Sequence, residues 1–303
     1  MNRNTETMKH AFTHVDLALY LGVILFWGTS WIAIRAHLGV VAPEVSLVWR
    51  FLAATIIMFG WAAYRGERLH YPLKDHIWFF AVASMLFSFN FILQYYGGFY
   101  VKSGLMAVIF SISSIINIFL ATLFLRQPVE WRVLLGGVLG FSGVCLMFWP
   151  EIMGETINKQ VLTGLMFCLS GTFCFCLGNL VSSVIQRKQI SLIAANSWGM
   201  AYGTVILFVI CLIKREAFII EPTVKYLGSL AWLATGASVG AFFCYLSLLR
   251  RIGSARAGYV TVLFPVVALA ISTIFENYQW TFLAFLGASL ALLGNLFVLK
   301  RKV

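Results

Sequence analysis

The sequence predicts an all-α polytopic membrane protein with ten transmembrane helices arranged as two inverted five-helix repeats. Three observations carry this. Of 303 residues, 61% are apolar and 11% charged, against about a quarter charged in an ordinary soluble domain. The apolar residues fall in blocks of roughly 20, the length that crosses about 30 Å of hydrocarbon at 1.5 Å per residue. The blocks lack two-residue alternation, so of the two structures lipid permits, closed barrel and helix, they choose the helix.

The first block, 16–36, follows a polar stretch of 14 residues. It is too long for a signal core and lacks a small-residue cleavage site, so no cleavable leader is expected. The next blocks are 45–64, 76–96, 103–125 and 131–149, then 161–185, 192–213, 226–249, 256–275 and 280–299. Pro43, Pro72, Pro128, Pro150 and Pro222 fall in the joints, as residues that begin or end helices should. Pro265 lies inside the ninth block, where it denies a carbonyl near Thr261 its backbone bond and makes a bend, with a moving hinge as the further reading. Gly258, Thr261, Ala268 and Ser272 complete a small-residue face around it.

Charge sets the orientation. Arg3, Lys9, Arg65, Arg68, Lys74, Arg126, Arg132, Arg187, Lys188, Arg250, Arg251, Arg256, Lys300, Arg301 and Lys302 collect on one side, 15 in all. Arg35, Lys102, Lys159, Lys214, Arg215 and Lys225 make 6 on the other, and Arg50 lies within the second block. The bias places both termini in the cytoplasm and requires an even number of spans. The net charge of +11 belongs to span ends and anionic headgroups, not to a nucleic-acid face.

The joint Pro150 to Gln160 splits the chain into a first repeat, 1–150, and a second, 151–303. Each ends on a tryptophan, Trp131 or Trp280, followed by two glycines seven apart, Gly136 with Gly143 and Gly287 with Gly294. Five spans is an odd number, so similar halves must lie oppositely in the membrane, with a site near the midplane between them.

The first block reads Phe26-Trp27-Gly28-Thr29-Ser30-Trp31, the second contains Trp49-Arg50-Phe51, and Tyr100 to Leu125 leads through a turn into a glycine-paired fifth block. In these features the chain resembles the EamA-type members of the drug/metabolite transporter superfamily. The resemblance implies a ten-helix exporter or facilitator of small metabolites, a central cavity formed chiefly by spans 1, 3, 4, 6, 8 and 9, and spans 5 and 10 bracing the outside. The chain departs from that pattern in having Arg126-Gln127 where the second half has Glu276, and Ser113-Ser114 where a proline is common.

Helical spacing singles out the candidate substrate-binding residues. Trp27 and Trp31 share a face of span 1 and form either a pocket wall or helix packing. Asn90 with Gln94, Ser111 and Ser114 with Asn117, Thr172 and Asn179 with Ser183, and Thr235 and Ser238 with Phe242 and Tyr245 form further stripes. Such groups need partners within protein or water, because an unpaired amide in hydrocarbon costs several kcal/mol. Interhelical hydrogen bonds are the alternative to substrate contacts. Gly136 with Gly140, Gly199 with Gly203, and Gly236 with Gly240 are close-packing pairs. The expected binding set is Trp27, Trp31, Asn90, Gln94, Ser111, Ser114, Asn179, Phe242 and Tyr245.

Arg50 must face protein, where it attracts a carboxylate, makes a gate contact, or bonds span-end carbonyls or Glu44. The eleven carboxylates and five histidines lie in tails, joints or near span ends, so facilitated diffusion is expected, with Glu44 as the fallback proton site.

These residues bear differently on three function classes. A secondary transporter fits, since no GxxxxGK[ST] phosphate loop is present. An intramembrane enzyme would need a nucleophile and base, and neither HExxH nor GxSxG occurs. A channel or structural membrane subunit would show no saturable exchange. The six cysteines, all in apolar blocks, read as core residues, so no metal or cofactor is expected. The expected partners are a small-molecule substrate and the lipid bilayer of a plasma membrane, a bacterial inner membrane being the expectation, with a monomer sufficient and a homodimer the alternative. An aromatic and amide-lined cavity with few fixed charges suits amino acids, amphipathic metabolites or drug-like amines better than phosphorylated compounds.

Overall fold

The computed structural model describes residues 13–125, 131–152, 159–257 and 260–299. These residues are helical apart from short turns, and no strand occurs among them. In chain order, α1 is His14–His37 and α2 is Pro43–Tyr64. The third helical run, α3, joins Leu73–Val82, Ala83–Phe89 and Asn90–Gly98, the middle piece being π-helical. The fourth, α4, consists of Ser103–Ser111 and Ser113–Leu125. Trp131–Ile152 is α5, Lys159–Arg187 is α6 and Leu192–Lys214 is α7. The eighth run, α8, joins Val224–Ala231, the π-helical Trp232–Gly240 and Ala241–Ala257. Val260–Phe275 is α9 and Phe282–Leu299 is α10. Seven of these runs are long and apolar enough to cross a membrane, and Leu134–Pro150, Val260–Phe275 and Phe282–Phe297 are shorter apolar helices.

The outer surface is apolar. Leu17, Leu21 and Leu25, at steps of four on α1, are exposed, as are Phe119 and Leu123 on α4 and Leu134, Val138 and Phe141 on α5. Water would penalise so large an apolar surface, and a bilayer covers it. Cys145, expected in the core, is exposed on α5, because that helix buries only its glycine face.

Helix ends follow local chemistry. Thr13 and Asp16 form a reciprocal capping box at the start of α1, with Thr13 N donating to Asp16 Oδ2 at 2.9 Å. Arg251 of α8 joins that box through Asp16 and Thr13, and Lys188 pairs with Asp75 at 2.8 Å. Pro43 opens α2 and Pro72 caps α3. Pro150 departs from expectation by lying inside the last turn of α5, and Pro128 lies outside the described residues. Towards Ala257, α8 continues through the charged stretch where a joint was expected, since no proline stops it.

Three glycine-bearing helix contacts set the bundle. Gly143 of α5 lies against Gly287 and Ala291 of α10, and Gly294 lies against Gly136 and Gly140. The two helices therefore run antiparallel with backbones in contact, and theirs is the most extensive helix pairing in the structure. Elsewhere in the bundle, Gly199 and Gly203 of α7 receive Phe87 of α3, while Gly236 and Gly240 of α8 receive Phe26 of α1. Both receiving contacts lie where α3 and α8 widen into π-helix. In α3 the Ser88 hydroxyl takes up the widened ladder by donating to Ala83 O at 2.9 Å.

Candidate functional site

A cavity of about 450 Å³ is enclosed by α1, α2, α3, α4, α6, α7, α8 and α9. Its apolar wall is a run of ring contacts. Trp27 meets Tyr245, Phe264 and Phe242 at centroid distances of 5.4, 6.2 and 6.5 Å. Trp31 stacks on Phe264 at 6.4 Å and meets Phe110 at 5.2 Å, and Phe110 reaches Phe175 at 4.5 Å. Residues four apart on α1 thus share one aromatic chamber.

The polar wall comes from α2, α3, α4 and α6. Arg50 is 3% exposed; its Nε donates to Ser238 Oγ at 3.2 Å, and its guanidinium lies over Phe91 at 4.4 Å. Asn90 Nδ2 donates to Leu86 O at 3.2 Å, and Gln94 Nε2 donates to Cys168 O at 3.2 Å and Thr172 Oγ1 at 3.3 Å. Asn179 Nδ2 donates to Asn117 Oδ1 at 3.4 Å, and Ser114 is hydrogen-bonded to Asn295 of α10. Among the described lining residues, Arg50 is the one ionised side chain.

Eight of the nine residues expected on spacing face this cavity: Trp27, Trp31, Asn90, Gln94, Ser114, Asn179, Phe242 and Tyr245. Ser111 does not. It donates to Val108 O at 2.7 Å, and the break at Ile112 turns it off the face that carries Ser114. Thr235 likewise leaves the stripe of Ser238 and Phe242, because the π-helical turn rotates it outward, where it donates to Ala231 O at 2.6 Å. Pro265 is buried within α9 beside the lining residue Phe264 and does not itself face the cavity. Gly258, of the same proposed face, lies outside the described residues. Spacing missed Phe264, Phe110 and Asn196. Asn196 and Met200 are four apart on α7 and both line the cavity, a signal that was available.

The cavity extends to the helix end where Gln186 and Leu192 lie, the end that also carries Asp16 with Arg251 and Asp75 with Lys188. The opposite end is sealed in two layers. Just beyond Arg50 and Ile34, His37 Nδ1 lies 3.0 Å from Tyr95 Oη, the His37 ring stacks on Tyr226 at 4.7 Å, and Tyr226 Oη lies 2.9 Å from Ser46 Oγ. His37 is 1% exposed, so a histidine placed by sequence at a span end is in fact inside the bundle.

Two ion-pair clusters lie beyond. Glu276 Oε2 accepts from Ser103 N at 2.9 Å, Ser103 Oγ at 2.5 Å and Ser272 Oγ at 2.7 Å, and Oε1 pairs with Arg35 Nε at 3.0 Å. Arg35 Nη1 also donates to Gly98 O and Val101 O, both at 2.9 Å. In the second cluster Glu44, buried at 2% exposure, accepts from Lys214 Nζ at 2.7 Å and Tyr96 Oη at 2.8 Å. Glu44 is therefore committed to α7 and α3, and the expected Arg50–Glu44 bond is not formed; Arg50 reaches across to α8 instead.

A helical bundle with an apolar exterior and an interior polar cavity closed at one end defines an integral, multi-pass membrane transporter. The chain matches the EamA-like transporter family over residues 16–149 and again over 162–300, and it belongs to that family. It is 24% identical to a probable amino-acid metabolite efflux pump of Escherichia coli, over 94% of this chain and 96% of that one. It is 24% identical to protein PagO of Salmonella typhimurium, over 86% and 84%, and 24% identical to the uncharacterized transporter YoaV of Bacillus subtilis, over 93% and 97%. A solved crystal structure superposes with a TM-score of 0.65 over 93% of this chain and 95% of that chain at 14% identity, a likeness of fold. The protein is a membrane transporter of small metabolites.

Proposed function

We propose that the protein exports or facilitates the passage of amino acids or amphipathic, drug-like metabolites by alternating access through the central cavity. One observation carries this: an aromatic and amide-lined cavity reaches one end of the bundle while two ion-pair clusters lie at the other. The ten helical runs would all cross a bacterial inner membrane, as two inverted repeats, 1–150 and 151–303. The double family match and the antiparallel pairing of α5 with α10 support that arrangement. With both termini cytoplasmic, the sealed end is the outer one and the conformation is inward-facing. The E. coli relative named as an amino-acid metabolite efflux pump supports the substrate class. The transporter is taken to work as a monomer, with a homodimer as the alternative.

The test is counterflow in sealed proteoliposomes. Vesicles loaded with one unlabelled amino acid or amphiphile from a panel should take up its labelled form faster than empty vesicles, with saturation. Non-saturable flux indifferent to internal loading would instead mark a channel and overturn the reading.

A further inference from the structure

Four residues that line the cavity each carry a buried side-chain atom with no hydrogen-bond partner: Trp31 Nε1, Arg50 Nη1, Asn90 Oδ1 and Gln94 Oε1. The residues are 5%, 3%, 2% and 1% exposed. Buried polar groups are ordinarily paired, so four orphans around one cavity mark a place where a ligand supplies the partners. They divide by chemistry into two donors, one of them cationic, and two acceptors.

The orphans are held in place by their other halves. Asn90 and Gln94 anchor their amide nitrogens on Leu86 O and on Cys168 O with Thr172 Oγ1, which leaves both amide oxygens without a partner. Asn90 and Gln94 are four apart in the chain and so share one face of α3. Arg50 is fixed through Nε on Ser238 and by the Phe91 ring, and Phe91 is the neighbour of Asn90 in the chain. Trp31 is held between Phe110 and Phe264. Since no carboxylate lines the cavity among the described residues, the Arg50 charge is unbalanced there, and an anionic group on the ligand would balance it.

We propose that this quartet is the recognition subsite for a zwitterionic α-amino acid with an apolar side chain. The carboxylate accepts from Arg50 Nη1 and Trp31 Nε1, the ammonium donates to Asn90 Oδ1 and Gln94 Oε1, and the side chain lies in the ring-lined chamber of Trp27, Phe110 and Phe264. A cationic amine would meet the Arg50 charge, and a simple carboxylate would leave both amide oxygens unpaired. The proposal rests on the transport reading above and narrows it from several substrate classes to one pattern of charge.

The test uses the purified full-length wild type and three compounds with the same ring: L-phenylalanine, 2-phenylethylamine, which lacks the carboxylate, and 3-phenylpropionate, which lacks the ammonium. Thermal stabilisation of the protein is titrated with each. Phenylalanine should act at concentrations at least about tenfold lower than either analogue, since each lost charge-assisted contact weakens binding about tenfold to 100-fold. Arg50→Gln should erase the preference over 2-phenylethylamine, and Asn90→Leu with Gln94→Leu the preference over 3-phenylpropionate. The wild-type series decides on its own, so a variant that fails to fold does not leave the matter open. No stabilisation by phenylalanine, or stabilisation matched by an analogue, overturns the subsite. If phenylalanine fails while another compound shows counterflow, the subsite falls and the transport reading stands.

Discussion

Glu276→Gln should loosen the sealed end of the cavity by an amount that can be worked from its contacts. The carboxylate accepts three hydrogen bonds from Ser103 and Ser272 and pairs with Arg35. Glutamine keeps the shape and one acceptor oxygen but loses the charge. A hydrogen bond to a charged group contributes about 1 kcal/mol more than a neutral one, so three bonds lose about 2 to 3 kcal/mol. Arg35 is about a third exposed, so its ion pair adds no more than about 1 kcal/mol. If these contacts break when the end opens, the closed state loses about 3 kcal/mol relative to the open one, a shift of roughly 100-fold. The reporter is Ile34→Cys, a position on the cavity wall that is 3% exposed. Its rate of reaction with a membrane-impermeant maleimide added outside intact cells, corrected for the same background without Ile34→Cys, should rise by one to two orders of magnitude in Glu276→Gln. An unchanged rate in a well-expressed, folded variant would refute the assignment of Glu276 to the seal.

Three further predictions follow from the same structure. Gly143→Leu would drive a side chain into the backbone of Gly287 and Ala291, and overpacking of this kind costs about 1 to 3 kcal/mol; the unfolding midpoint in detergent should fall, and a midpoint equal to wild type would contradict the α5–α10 contact. A cysteine placed in the Met153–Lys159 joint, of which 153–158 lie outside the described residues, should label from outside intact cells; labelling only after permeabilisation would reverse the orientation. With Glu44 committed to Lys214 and Tyr96, a pH gradient imposed on proteoliposomes at clamped potential should drive no uphill uptake. Accumulation would establish proton coupling, and its loss in Glu44→Gln or in His37→Gln would locate the proton site.

The fold class was legible in the sequence because it rests on local quantities. A bilayer of fixed thickness demands long apolar runs, and prolines such as Pro43 and Pro72 mark helix starts through their own geometry. Most of the cavity wall was legible for the same reason: the spacing of Trp27 with Trp31 and of Asn90 with Gln94 places each pair on one helical face whatever lies opposite. Where regular α-geometry failed, so did spacing. The break at Ile112 displaced Ser111, and the π-helical turn at Trp232–Gly240 turned Thr235 outward. Those distortions accompany side chains and glycines brought from distant parts of the chain. Choice of partner was likewise decided by tertiary structure. Arg50 bonds Ser238 rather than Glu44, six residues away, because α8 presents a hydroxyl at its level while Lys214 of α7 and Tyr96 of α3 occupy the carboxylate. His37 became a buried group only because Tyr95 and Tyr226 close over it. Local sequence sets the face a side chain occupies, but which group stands across from it depends on helices 52 to 188 residues away, and no single helix encodes that.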